Sequence, residues 1–195
     1  RLDKADPGSI IFKDEFKSLA DLKGRVINVD DPMATILKEN FDMRITFFEP
    51  EQIYTAMATG TLDGTEYGSI VAMTSMSLEE VAHYLMAPDY QIFWCGCYCI
   101  DDETYNTMPE DLRAILIQGI KAHTLDMRTT YMDMTGAALE KFYKAGGHLV
   151  YLPDEDIALL SKAGLKALQE IKKKDDYARR AVEIIEASLV KLGRG

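Results

Sequence analysis

The chain has 195 residues, enough for one or two ordinary domains, and its 47% hydrophobic and 28% charged content suits a folded core better than a disordered polymer. Against 22 basic residues stand 32 acidic ones, a net charge of -10, which argues against nucleic acid or an anionic membrane as partner because both reward clustered Lys and Arg. No apolar run approaches the ~20 residues of a membrane-spanning helix, and no basic leader followed by an apolar stretch is visible; the opening on Arg1 suggests processing or truncation.

In chain order, residues 9–12 read as a short strand. Ser18 is a good N-cap for a helical turn over 19–23 that Gly24 ends. Residues 25–29 are β-branched and apolar, hence a strand. Asp31-Pro32 fits a cap and first-turn proline opening a helix to about Asn40. A second strand covers 44–48. Pro50 starts a helix with Ile53, Met57 and Ala58 on one face, stopping at Gly60. Residues 64–67 form a strand end, a helix follows from Ser69, and strands are predicted over 81–86 and 92–100. Met108-Pro109-Glu110-Asp111 is a strong helix start, with acids at the positive end of the helix dipole. No effective breaker follows until Gly146-Gly147, which predicts one helix of about 35 residues where about 11–12 is usual. Residues 148–152 are a strand, Pro153-Asp154 opens another helix, and 178–191 is amphipathic. Alternating strands and helices predict an α/β fold with a largely parallel sheet, and so long a helix makes sense as a strut between two lobes.

Cys95, Cys97 and Cys99 alternate within the apolar run 92–100, so a strand places all three on one face. Side chains two apart on a strand are about 6.5–7 Å apart, too far and too parallel for a disulfide. Three shielded core thiols are expected, since CxCxC lacks the loop geometry of a zinc site. His83, His123 and His148 show no ligand spacing. Glu49 and Glu51 beside Pro50 look like helix-start acids, Lys172 to Asp176 like a solvated face, and the Met-rich stretch 127–134 like core filler. No phosphate loop or nucleophile elbow is present.

The segment Lys17-Ser18-Leu19-Ala20-Asp21-Leu22-Lys23-Gly24 before a strand, the block from Glu51 to Glu66, the Tyr105–Arg113 stretch with its Met108-Pro109-Glu110-Asp111, and the run Ala145 to Pro153 occur in one order. Together they resemble the solute-binding subunits of TRAP transporters, the dicarboxylate-type periplasmic family, over nearly the whole chain. The resemblance implies a periplasmic-binding-protein-like two-lobe fold with a lobe-spanning helix. Members usually carry a long stretch before the first of these segments, and sixteen residues precede Lys17 here, so the first lobe is expected to be incomplete in this chain. The implied division is 1–22 as a lead-in from the first lobe, 23–100 as the α/β second lobe, and 101–195 as strut, return strand and C-terminal helices.

The implied function is extracytoplasmic capture of a small organic acid or related solute and delivery to membrane permease subunits, without catalysis or cofactor. Solutes bind outside the carboxyl ends of strands in such sheets, which directs attention to Asn28, Pro50, Glu66, Tyr67, Tyr90 and Trp94. In many members an Arg at the first of these strand ends pairs with a solute carboxylate, and the matching position here is Asn28, which brings hydrogen bonds but no charge. Glu66-Tyr67 is similar to the Glu-Trp of a branch that holds keto acids through a cation. That branch's further acidic ligand is not evident at Asp89-Tyr90-Gln91-Ile92, so no metal is predicted. Tyr67, Tyr90, Phe93 and Trp94 are candidates for an aromatic wall. Two other classes stay open: an enzyme using Glu66 with the Cys95/Cys97/Cys99 strand, and a ligand-sensing module.

Overall fold

A computed structural model describes residues 10–88 and 98–191. Six strands form one sheet in the order β3-β2-β4-β1-β5-β6, with β1 Ile10–Phe12, β2 Val26–Asn28, β3 Arg44–Thr46, β4 Gly64–Glu66, β5 Tyr84–Ala87 and β6 His148–Tyr151. The pairs β2/β3, β2/β4 and β5/β6 are parallel, whereas β1 runs antiparallel to both β4 and β5. A three-residue apolar strand looks the same in either direction, so residue pattern marks it as buried but its direction is set by the connections. The lead-in segment thus supplies, from Ile10 on, a strand in the middle of the sheet.

Helices cover both faces. On one, α1 (Met33–Phe41), through Leu37, and α6 (Asp154–Ile171) share a core with Ile10, Phe12, Ile27 and Met86; on the other, α2 (Pro50–Thr59), through Met57, α3 (Ile70–Ser75) and the end of α5 (Glu110–Lys144), through Phe142, share a core with Ile11, Leu62 and Leu85. Alternation along each strand sends neighbouring residues into the two cores, Ile10 and Phe12 to one and Ile11 to the other. Gly64 permits the close approach of β4 to β1, since a Cβ there would stand 2.5 Å from the Phe12 ring.

The local expectations are mostly met. Asp31 accepts from the Thr35 backbone and hydroxyl at 3.2 and 2.8 Å at the start of α1. Ser18 is the N-cap of the 3-10 turn Leu19–Leu22, as expected, and the Asp21 carboxylate completes the box by accepting from the backbone N–H groups of Lys17 and Ser18 at 2.9 and 3.0 Å. α5 is one continuous helix of 35 residues, as its start and stop signals predict. A short helix before it, α4 (Asp102–Thr107), was not anticipated, although Asp101 followed by Thr104 is a usable cap signal, realised at 3.0 Å. α7 (Asp176–Lys191) packs on α6.

Two expectations fail. Tyr98, Cys99 and Ile100 are exposed and outside any strand, so Cys99 is not a shielded core thiol; Cys95 and Cys97 lie outside the described residues. Met127, Met132 and Met134 fill no core, Met132 being 69% exposed. In both cases an apolar run carries no information about whether a neighbour is there to cover it.

Candidate functional site

Five strands point their carboxyl ends the same way, and the register makes those ends level: Asn28 stands beside Thr46 and Thr65, Thr65 and Leu85 both face Ile11, and Ala87 pairs with Tyr151. The family-like block 51–66 divides between the two ends of the sheet. Asp63 belongs to the amino end, where its carboxylate accepts from the Val26 N–H at 2.6 Å and its own N–H donates to the Val26 carbonyl at 2.8 Å. Glu66 and Tyr67 belong to the carboxyl end.

Asn28 is 6% exposed and its carboxamide is engaged on both sides. Its Oδ1 accepts from the Phe48 backbone N–H at 2.8 Å, and its Nδ2 donates to Thr65 Oγ1 at 3.1 Å. The fully buried Thr65 hydroxyl in turn donates to the Glu66 carbonyl at 3.2 Å. Pro50 is half-buried at the first position of α2. Glu66 is half-buried, as is Tyr67, whose ring packs against the second core cluster. Tyr90, Phe93 and Trp94 lie outside the described residues. Sequence reading missed Phe47, an aromatic ring at the carboxyl end of β3 that is 64% exposed; a doublet of phenylalanines just beyond a strand was the available signal.

The carboxylates at the ends of β2, β3 and β4 are Asp30, Asp31, Glu49 and Glu66, and the segments 28–31, 46–50, 65–69 and 87–88 contain no Lys or Arg. Among the described residues no group of three or more His, Cys, Asp and Glu gathers as a metal site. The histidines are spread out, with His148 stacked on Tyr84 at 5.7 Å and His123 edge-on to Tyr98 at 6.1 Å. A groove of about 490 Å³ lined by Phe16, Tyr84, His148 and Tyr151 runs along the edge strand β6, on the far side of the sheet order from Asn28.

The long helix passes this site. Tyr131 pairs its hydroxyl with that of Ser69, the N-cap of α3 two residues beyond Tyr67. Below that contact α5 descends to Ala138 and Phe142 in the core; above it, residues 110–130 extend for about 30 Å at 1.5 Å per residue. None of the helices among the described residues is long and apolar enough to cross a membrane.

A sheet whose strand ends open beside a projecting helix is an arrangement met in known proteins. The profile described as "Bacterial extracellular solute-binding protein, family 7" matches residues 9–175. The chain belongs to that family. Its fold is shared by a TRAP periplasmic solute-binding protein from Chromohalobacter salexigens with bound (S)-(+)-2-amino-1-propanol, at 19% identity and a TM-score of 0.75 over 97% of this chain and 59% of that one. Similar matches are the TRAP periplasmic solute-binding proteins from Rhodoferax ferrireducens with malonate (21% identity, TM-score 0.73, 95% of this chain, 60% of that one) and from Desulfovibrio salexigens with orotic acid (15%, 0.75, 96% and 60%). No curated protein sequence matches. The chain therefore spans about three-fifths of the length of these solved relatives.

Proposed function

We propose that this chain supplies one lobe and the connecting helix of an extracytoplasmic solute-binding protein that captures a small organic acid or related solute and hands it to TRAP-type permease subunits, without catalysis. The observation that carries this is the level row of strand ends at Asn28, Thr65 and Glu66, facing the side from which α5 projects. A projecting helix with Leu116, Ile120, Met127 and Tyr131 along one side suits a second lobe that closes over the row. The division at residues 22 and 100 is part of the same reading, with the row belonging to the central unit.

Asn28, Pro50, Glu66, Tyr67, Tyr90 and Trp94 are the residues we assign to this lobe's half of the site. Because the described strand ends offer acids and no fixed cation, the charge of an anionic solute is met from the facing lobe or through a bound cation. Ligand that binds only the native state raises its stability by about 2.7 kcal/mol at a hundredfold excess over Kd. A thermal-shift panel of malonate, orotate, keto acids and (S)-2-amino-1-propanol, with and without calcium, on the protein in its full length therefore ranks solute classes. A rise in Tm with at least one class is expected; flat responses across the panel, with turnover of any member, would move the protein to the enzyme class.

A further inference from the structure

We propose that Asn28 is a positioning residue: it acts on the solute through the turn 47–49 and the end of β4, which its carboxamide locks together. This rests on the capture reading above.

Three hydrogen bonds run in one direction across three strand ends: Phe48 N–H to Asn28 Oδ1, Asn28 Nδ2–H to Thr65 Oγ1, and Thr65 O–H to the Glu66 carbonyl. The chemistry of each group fixes the polarity. A backbone N–H can only donate, so the carboxamide oxygen must face Phe48 and its amine must face Thr65. Thr65 then accepts with its lone pair and donates with its proton. A carboxamide, with acceptor and donor on adjacent atoms, fits this place; a guanidinium has no acceptor for the Phe48 N–H, and an alanine has neither group.

The network is also placed to matter. Asn28 and Thr65 are shielded, so the bond between them is made without competition from water, and the two bonds that flank it are partly buried. The Phe48 N–H lies beyond the last ladder residue of β3, Thr46, so Asn28 extends the ladder by one side-chain bond. That bond sets the backbone from which the exposed Phe47 ring projects, immediately before Pro50 begins α2. At the other end, the bond to the Glu66 carbonyl orients the peptide between Glu66 and Tyr67. The solute-facing groups are thus Phe47 and the Glu66-Tyr67 pair, with Asn28 behind them.

Amide hydrogen exchange measured by NMR on the full chain, without solute, reads the lock directly. Asn28→Ala should speed exchange at the Phe48 N–H about three- to tenfold, the effect of one hydrogen bond of ordinary net strength. Thr65→Val, which keeps the shape and removes the hydroxyl, should speed it too, and Thr65→Ser should restore protection. Asn28→Asp keeps the acceptor and should hold Phe48 protection. Affinity for whichever of malonate, orotate and (S)-2-amino-1-propanol gives the largest thermal shift should fall alike in Asn28→Ala and Thr65→Val, with no further loss in the double variant. Unchanged Phe48 exchange in both Asn28→Ala and Thr65→Val overturns the proposal. So does a loss of affinity confined to Asn28→Ala, which is the signature of direct contact. If the exchange results hold and none of the three solutes binds the parent protein, the lock stands and the capture reading is what has failed.

Discussion

The two ends of α5 present the same kind of surface to different surroundings. Near its carboxyl end, Ala138 and Phe142 are buried, Lys141 bonds Glu79 at 2.6 Å and the Thr74 carbonyl at 3.0 Å, and the next turn meets Gly147, where a Cβ would stand 2.5 Å from the Phe142 ring. Toward the amino end, Leu112, Ile115, Leu125 and Met132 are half or more exposed. At 100° per residue, Leu116, Ile120, Met127, Tyr131, Ala138 and Phe142 fall on one side, along which burial at Phe142 gives way to 41% exposure at Tyr131 and 46% at Met127, while Leu125 and Met132 lie on the opposite side. Apolar content and burial are separable: the first is written in the residues, and the second is decided by what stands opposite.

Truncation should separate the two ends most sharply. Phe142→Ala removes a fully buried ring and should cost about 3–5 kcal/mol in denaturant unfolding. Leu125→Ala, at 70% exposure, should stay within about 0.5 kcal/mol. Equal losses at both sites would mean that the amino end is covered in solution, and would erase the contrast.

A smaller difference is expected between two lysines one turn apart. Lys141→Ala strands the buried Glu79 carboxylate, one of whose oxygens already lacks a partner, and should cost about 2–3 kcal/mol. Lys144→Ala breaks an exposed pair with Glu140 and should cost no more than about 0.5 kcal/mol. Chemical denaturation of the two variants side by side checks this, and a Lys141 loss as small as that of Lys144 would remove the clasp from the account.

The smallest effect is at the uncovered end and depends on pH. The backbone and hydroxyl of Thr104 hold the Asp101 carboxyl below its usual range. A depressed carboxylate contributes stability above its ordinary value of about 3.9 and loses it as pH falls through the lowered folded value. The start of α4 should therefore fray on acidification below about pH 4, visible in the Thr104 amide shift, while Phe142 contacts are unmoved. Asp101→Asn should remove that titration.

Much was legible from residues alone. The proline and acid start at 109–111 and the Gly146-Gly147 stop delimited α5 to within a residue, because caps and breakers act through the backbone of the segment that carries them. The strands around Ile11, Ile27 and Leu85 followed from apolar, β-branched runs for the same local reason. The strand ends themselves were legible, and Asn28, Glu66 and Tyr67 stand at the same end of the sheet.

Three things waited for the tertiary structure. The reversed direction of β1 depends on which strands it lands between, which three apolar residues do not encode. The exposure of Cys99 and of the methionines on α5 depends on neighbours that no local pattern specifies. The two-sided engagement of Asn28 depends on Phe48 and Thr65, 20 and 37 residues away in the chain. A sequence states what hydrogen bonds a carboxamide can make; which ones it makes is fixed when the sheet brings three strand ends level.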